Sequence, residues 1–157
     1  MCMCRNTVEK HETRKREVLK LKQTIHIRPY QPEDYPSIKE LNQNEGWNNL
    51  VEKEEDTKKA WDHSNIAYVV TVEEKIVAYV RGMTDQAITL YICEILVSEK
   101  VRGQGVGQNL LAYVHAKYPT TRMEMLASST SHTYYEQLGF RPFYGFRKTF
   151  QELKLNK

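Results

Sequence analysis

Between residues 66 and 97 the chain runs through three segments rich in β-branched and aromatic residues, 66–72, 75–81 and 88–97. Glu73-Glu74 lies between the first two, and a polar connection at 82–86 leads toward the third. This composition predicts three consecutive strands, the first two joined by a tight hairpin turn. A glycine-rich stretch follows at once, Val97-Ser-Glu-Lys-Val-Arg-Gly-Gln-Gly-Val-Gly-Gln-Asn-Leu-Leu111, and then Val106, Leu110, Tyr113 and Val114 recur at helical spacing. A strand that turns through alternating glycines into a helix gathers unpaired N–H groups and the positive end of a helix dipole at one point. That arrangement suits an anion, typically phosphate, and glycine removes the Cβ atoms that would keep the ligand away. A nucleotide-binding P-loop would end in Gly-Lys-Ser/Thr where this chain has Gly107-Gln108-Asn109. A dinucleotide-binding fold would need repeated βαβ units, and three strands in a row before the loop do not supply them.

The flanking sequence completes the pattern. Residues 24–29 alternate as a strand, and Pro32-Glu33-Asp34 opens a helix with Tyr35, Ile38 and Leu41 on one face. Glu45-Gly46-Trp47 breaks that helix, and residues 52–61 read as a second, mostly solvated one. The helix after the glycines stops before Pro119. Residues 122–126 then predict a short strand, 129–138 a helix stopped by Gly139, and 140–150 a final strand. The order β-α-α-β-β-β-α-β-α-β describes an α+β fold: helices flanking a mixed, mostly antiparallel central sheet.

The 157 residues therefore read as one domain, 24–157, behind an N-terminal extension, 1–23. The first 24 residues carry seven Lys/Arg against three Glu, which leaves a net charge of −1 for the remainder of a chain that totals +3. A charge-rich segment with few apolar residues is expected to be flexible. The near-neutral body gives no electrostatic case for nucleic acid. No apolar run approaches the length of a membrane span and no signal-peptide pattern is visible, so a cytoplasmic protein without membrane contact is expected. Cys2, Cys4 and Cys93 form no disulfide framework, which suits a reducing compartment. His11, His26, His63, His115 and His132 share no metal-binding spacing, and no Cys/His pair completes a zinc site with Cys2 and Cys4. No metal is expected.

Two motifs narrow the reading. Arg102, Gly105 and Gly107 meet the pattern Arg/Gln-x-x-Gly-x-Gly/Ala, five residues after the strand-ending Val97, and Tyr134-Tyr-Glu-Gln-Leu-Gly-Phe140 meets an aromatic-Tyr-Glu-x-Leu-Gly-Phe pattern. Together they resemble the GNAT superfamily of N-acetyltransferases, over about residues 24–150. The resemblance implies acetyl-CoA as co-substrate, its pyrophosphate against the backbone of Arg102, Gly103, Gln104, Gly105, Val106 and Gly107. Its pantetheine would run beside the third strand at Ile95, Leu96 and Val97. Where family members often place an Asn to hold the pantetheine, this chain has Ser128, a shorter group that would reach it through water. The Arg102 side chain has an alternative role as a surface charge closing the turn.

Forming an amide from an amine and a thioester requires a neutral amine, a stabilised oxyanion and a proton for the departing thiolate. With amine and thiol pKa values of about 10.4 and 8.5, removing the amine proton is the larger task. Tyr135 occupies the family's acid position; Tyr134 and Leu138 share a helical face expected to pack on the sheet, leaving Tyr135 toward the cofactor. Glu94 is the carboxylate of the third strand and the candidate base, acting through water. Strict alternation sets it opposite Cys93, so a bulge is needed to bring it to the cleft. Tyr91 is the alternate. Trp47 lines an acceptor pocket or anchors its loop, and Asp85 is ambiguous in the same way. Cys93 has no neighbouring His to activate it, which favours direct transfer over an acyl-enzyme.

The expected function is thus transfer of an acetyl group from acetyl-CoA to a primary amine, on a small molecule or a peptide. A non-catalytic acyl-CoA sensor or interaction module is the alternative. A homodimer through an edge strand is compatible with either.

Overall fold

The computed structural model describes residues 25–154. The expected extension at 1–23, Cys2, Cys4, His11 and the last three residues lie outside them. The chain divides into two compact units, one reaching Glu124 and the other starting at Met125.

The sheet has five strands in the order β1-β2-β3-β4-β5, with β1 Ile25–Pro29, β2 Ile66–Val72, β3 Lys75–Thr84, β4 Thr89–Val97 and β5 Arg122–Met125. β1 to β4 pair antiparallel, from Ile25 opposite Val72 to Ala78 opposite Val97. The hairpin joining β2 to β3 turns on Glu73 and Glu74, both at positive φ (49° and 67°), as the right-handed strand twist demands of a two-residue turn. Helices α1 (Tyr35–Asn44), α2 (Asn48–Glu52) and α3 (Glu54–His63) precede β2, and α4 (Val106–Lys117) follows the glycines.

Each face of the sheet has its own apolar partner. Val69, Tyr79 and Leu96 cluster with Tyr35, Ile38 and Leu41 of α1 and Trp61 of α3. α4 buries Val106, Leu110 and Val114, an i, i+4, i+8 stripe, and contacts β3 and β4. The opposite sheet face carries Val70, Val80 and Ile92, also buried. Beside the first cluster, the Tyr79 hydroxyl donates to Asn42 Oδ1 at 2.6 Å, so the buried phenol finds its acceptor inside the core.

Three expectations change. β3 continues through Gly82 to Thr84, so the connection to β4 is shorter than the polar composition implied. A short helix, α2, fills the corner after Trp47. Residues 140–150 form no strand. In the second unit, α5 (His132–Gln137) ends at Gly139 (φ 86°), residues 140–149 are irregular, and Phe150–Lys154 forms α6. Pro142 lacks an N–H for a ladder, and Phe143, Tyr144 and Phe146 are exposed rather than alternating between a buried and an open face. Among the described residues no helix is long and apolar enough to cross a membrane.

Candidate functional site

The turn from β4 into α4 delivers what the glycines promised. Gly103 and Gly105 take left-handed conformations (φ 73° and 77°), and Gly105 is the N-terminal cap residue of α4. The first helical hydrogen bond is donated by Asn109 N–H to Gly105 O. The backbone N–H groups of Gly103, Gln104, Gly105, Val106, Gly107 and Gln108 have no protein acceptor among the described residues. They form a run of unused donors at the positive end of a helix. The Arg102 side chain points elsewhere: its Nε donates to Val97 O at 2.9 Å and its terminal nitrogen bonds the Glu45 carboxylate. Arg102 therefore closes the turn, and any anion would meet backbone donors.

On β4 the structure contains the bulge that Glu94 needs. Arg81 lies opposite Glu94 but Gly82 lies opposite Ile92, so Cys93 is the extra residue. Tyr91 and Glu94, opposite Met83 and Arg81, thereby share the sheet face that carries Tyr79 and Leu96. Gly82 makes this possible. A Cβ there would lie 2.4 Å from the Tyr91 carbonyl oxygen.

Glu94 is held by Arg81 in a two-pronged pair at 3.0 and 2.7 Å, with the two side chains 13% and 14% exposed. Arg81 also donates to Ser64 Oγ at 3.1 Å. Burial works against the Arg81 charge, but the hydrogen bond and charge of Glu94 outweigh it and leave the guanidinium above its ordinary pKa. Burial pushes the Cys93 thiol up, despite Arg81, so at neutral pH it is a thiol and not a thiolate nucleophile. Leu96 is buried in the core, so only its backbone can serve a ligand.

Several other candidates have structural partners. Trp47 packs its ring edge-on to Tyr79, with centroids 6.5 Å apart, and anchors the turn between α1 and α2. Asp85 caps the β3–β4 turn: its Oδ1 accepts the N–H groups of Ala87, Ile88 and Thr89, and those bonds lower its pKa. His63, His115 and His132 each bond a nearby backbone carbonyl, and no metal-holding cluster occurs among the described residues. Sequence reasoning missed Glu45, Arg81 and Gly82, none of which belongs to a motif. Only the single Gly inside a β-rich run hinted at the last.

In the second unit, the Ser128 hydroxyl is shared with those of Thr130 and Ser131 at 3.0 and 2.9 Å ahead of α5. Tyr135 is the half-buried tyrosine of α5, edge-on to Phe140 at 5.8 Å, whereas Tyr134 is 43% exposed. The expected orientation is reversed for Tyr134. α5 is too short to present a packed stripe, and the return of Phe140 N–H to Tyr135 O folds the chain over Tyr135 instead. Burial, then the neighbouring Tyr134, raises the Tyr135 pKa, so its phenol keeps its proton at neutral pH.

Comparison with known proteins bears on the fold and the family. No curated protein matches the chain. Among solved structures, it is similar to a GNAT-family acetyltransferase from Streptococcus pneumoniae, with 18% identity, TM-score 0.66 and coverage of 80% of this chain and 96% of that one. It is also similar to a protein assigned to the GNAT family from Xanthomonas campestris pv. campestris (23%, 0.61, 82% and 95%). An aminoglycoside acetyltransferase from an uncultured soil metagenomic sample, in complex with sisomicin, matches at 16% identity with TM-score 0.59, covering 82% and 98%. These likenesses establish the fold. The model of the acetyltransferase (GNAT) domain matches residues 63–142, just over half of the chain and the stretch that holds β2 to β5, the glycine loop and Tyr135. The chain belongs to the GNAT acetyltransferase family.

Proposed function

We propose that the protein transfers the acetyl group of acetyl-CoA directly to a primary amine of a small molecule or peptide. The observation that carries this reading is the run of unused N–H donors from Gly103 to Gln108 at the head of α4, which fits a pyrophosphate without any side-chain cation. The pantetheine arm would lie along the backbone of Ile95, Leu96 and Val97, with Ser128 assisting through water.

Glu94 serves as base for the incoming amine. Each of its carboxylate oxygens accepts one bond from Arg81 and keeps a lone pair for a further donor. A water held at that lone pair can pass the proton of the amine to it. Tyr91 borders the same strand face and lines the acceptor side. The protonated Tyr135 supplies the proton to the departing thiolate. The raised Cys93 pKa supports direct attack rather than an acyl-enzyme.

The test is release of free thiol from acetyl-CoA across a panel of small amines, amino sugars, polyamines and peptides. Transfer to at least one class is expected. Tyr135→Phe should lower kcat about 10-fold or more with acetyl-CoA affinity nearly intact. Glu94→Gln should likewise lower kcat about 10-fold or more with acetyl-CoA affinity nearly intact. Acetyl-CoA binding with no turnover on any amine would favour a non-catalytic acyl-CoA sensor instead.

A further inference from the structure

The segment that enters the glycine loop is fastened by one carboxylate outside every motif. Glu45 is the C-terminal cap residue of α1, and its side chain is 12% exposed. Its Oε1 accepts the Glu99 N–H at 2.9 Å across 54 residues of sequence, and its Oε2 takes the Arg102 guanidinium. Arg102 carries the tie on to the last carbonyl of β4, at Val97. Glu45 itself sits on a stiff base. Asn42, one turn earlier, holds the Tyr79 hydroxyl and accepts the Trp47 N–H, and Trp47 packs against Tyr79. The two residues it grips, Glu99 and Arg102, immediately precede the unused donors that begin at Gly103. Two glycines at positive φ give that loop little stiffness of its own, and an unfastened loop would have to lose its conformational freedom when an anion binds.

We propose that Glu45 is a positioning residue for the anion loop. It holds residues 99–102 so that the donors converge before ligand arrives, and by occupying Arg102 it leaves recognition to the backbone. This rests on the reading that the loop takes the pyrophosphate of acetyl-CoA. A carboxylate near a bound pyrophosphate would otherwise be repulsive, so its removal gives opposite results under the two accounts.

The experiment compares wild-type protein with Glu45→Ala and Glu45→Gln. The ligands are acetyl-CoA and S-acetylpantetheine, which lacks the pyrophosphate. Glu45→Ala should weaken acetyl-CoA binding about 10-fold, raise its KM with kcat little changed, and leave S-acetylpantetheine binding unaltered. Glu45→Gln keeps an acceptor for the Glu99 N–H and should fall between the two. In the ligand-free proteins, amide hydrogen exchange at Glu99, Val101 and Arg102, whose N–H groups are hydrogen-bonded in the fastened segment, should be faster in Glu45→Ala and less so in Glu45→Gln, which reads the segment even if one of them is poorly stable. Unchanged or tighter acetyl-CoA binding by Glu45→Ala, or an equal loss for both ligands, would overturn the role. If the wild-type protein binds S-acetylpantetheine and acetyl-CoA equally, the reading of the loop fails, and with it the role of Glu45.

Discussion

Asp34 shows how much one side chain can fix. Its carboxylate accepts both terminal nitrogens of Arg28 at 2.7 Å and the Gln31 N–H at 2.8 Å, joining the end of β1 to the start of α1. The hydrogen bond from Arg28 is the main cause of its lowered pKa, with burial acting the other way. A carboxylate whose folded pKa lies below its unfolded value of about 3.9 stabilises the fold above that pH. The contribution is lost as pH falls through the folded value. Asp34→Asn should therefore cost about 1–2 kcal/mol at pH 7, a figure held down by the solvent exposure of Arg28. Urea unfolding of both proteins should show the deficit shrinking below about pH 4. An equal deficit at pH 7 and pH 3 would contradict this assignment. The sequence announced Asp34 as a helix-start acid but was silent on Arg28, because a pair that closes between a strand and a helix has no fixed spacing. The same holds for Glu45 with Arg102 and for Arg81 with Glu94. Residues with local jobs, such as Gly103, Gly105 and Gly139, were readable directly from the chain.

Among the elements, β2 and the hairpin were legible because composition and a two-residue turn define them locally. β4 was legible as a strand, but its bulge was not, since the extra residue at Cys93 depends on the partner strand. Gly82 is the hinge of that geometry. Gly82→Ala should force the bulge to shift, costing about 1–3 kcal/mol in chemical unfolding, and should lower turnover because the Arg81–Glu94 register moves with it. Wild-type stability with wild-type turnover would show that the bulge does not need the glycine. The failed strand at 140–150 has the opposite lesson. Its aromatic content reads as β, yet Pro142 removes a ladder donor and the side chains that should have found a buried face, Phe143, Tyr144 and Phe146, remain exposed. Strand propensity reflects packing against a neighbour, so a segment without one does not express it.

At the scale of the molecule, two short ordered motifs identified the family and therefore the fold, whereas the acceptor is written in no motif. It depends on surfaces assembled from several elements, which is why Trp47 and Asp85 read equally as pocket residues or as holders of turns. The central claim is narrower: the backbone at the head of α4 receives the pyrophosphate of acetyl-CoA. The most direct measurement is a titration of isotopically labelled protein with acetyl-CoA, following the amide resonances of Gly103, Gln104, Gly105, Val106 and Gly107. The account predicts large shifts at these amides with acetyl-CoA and none with S-acetylpantetheine. Saturable acetyl-CoA binding that leaves all five amides unmoved would contradict it.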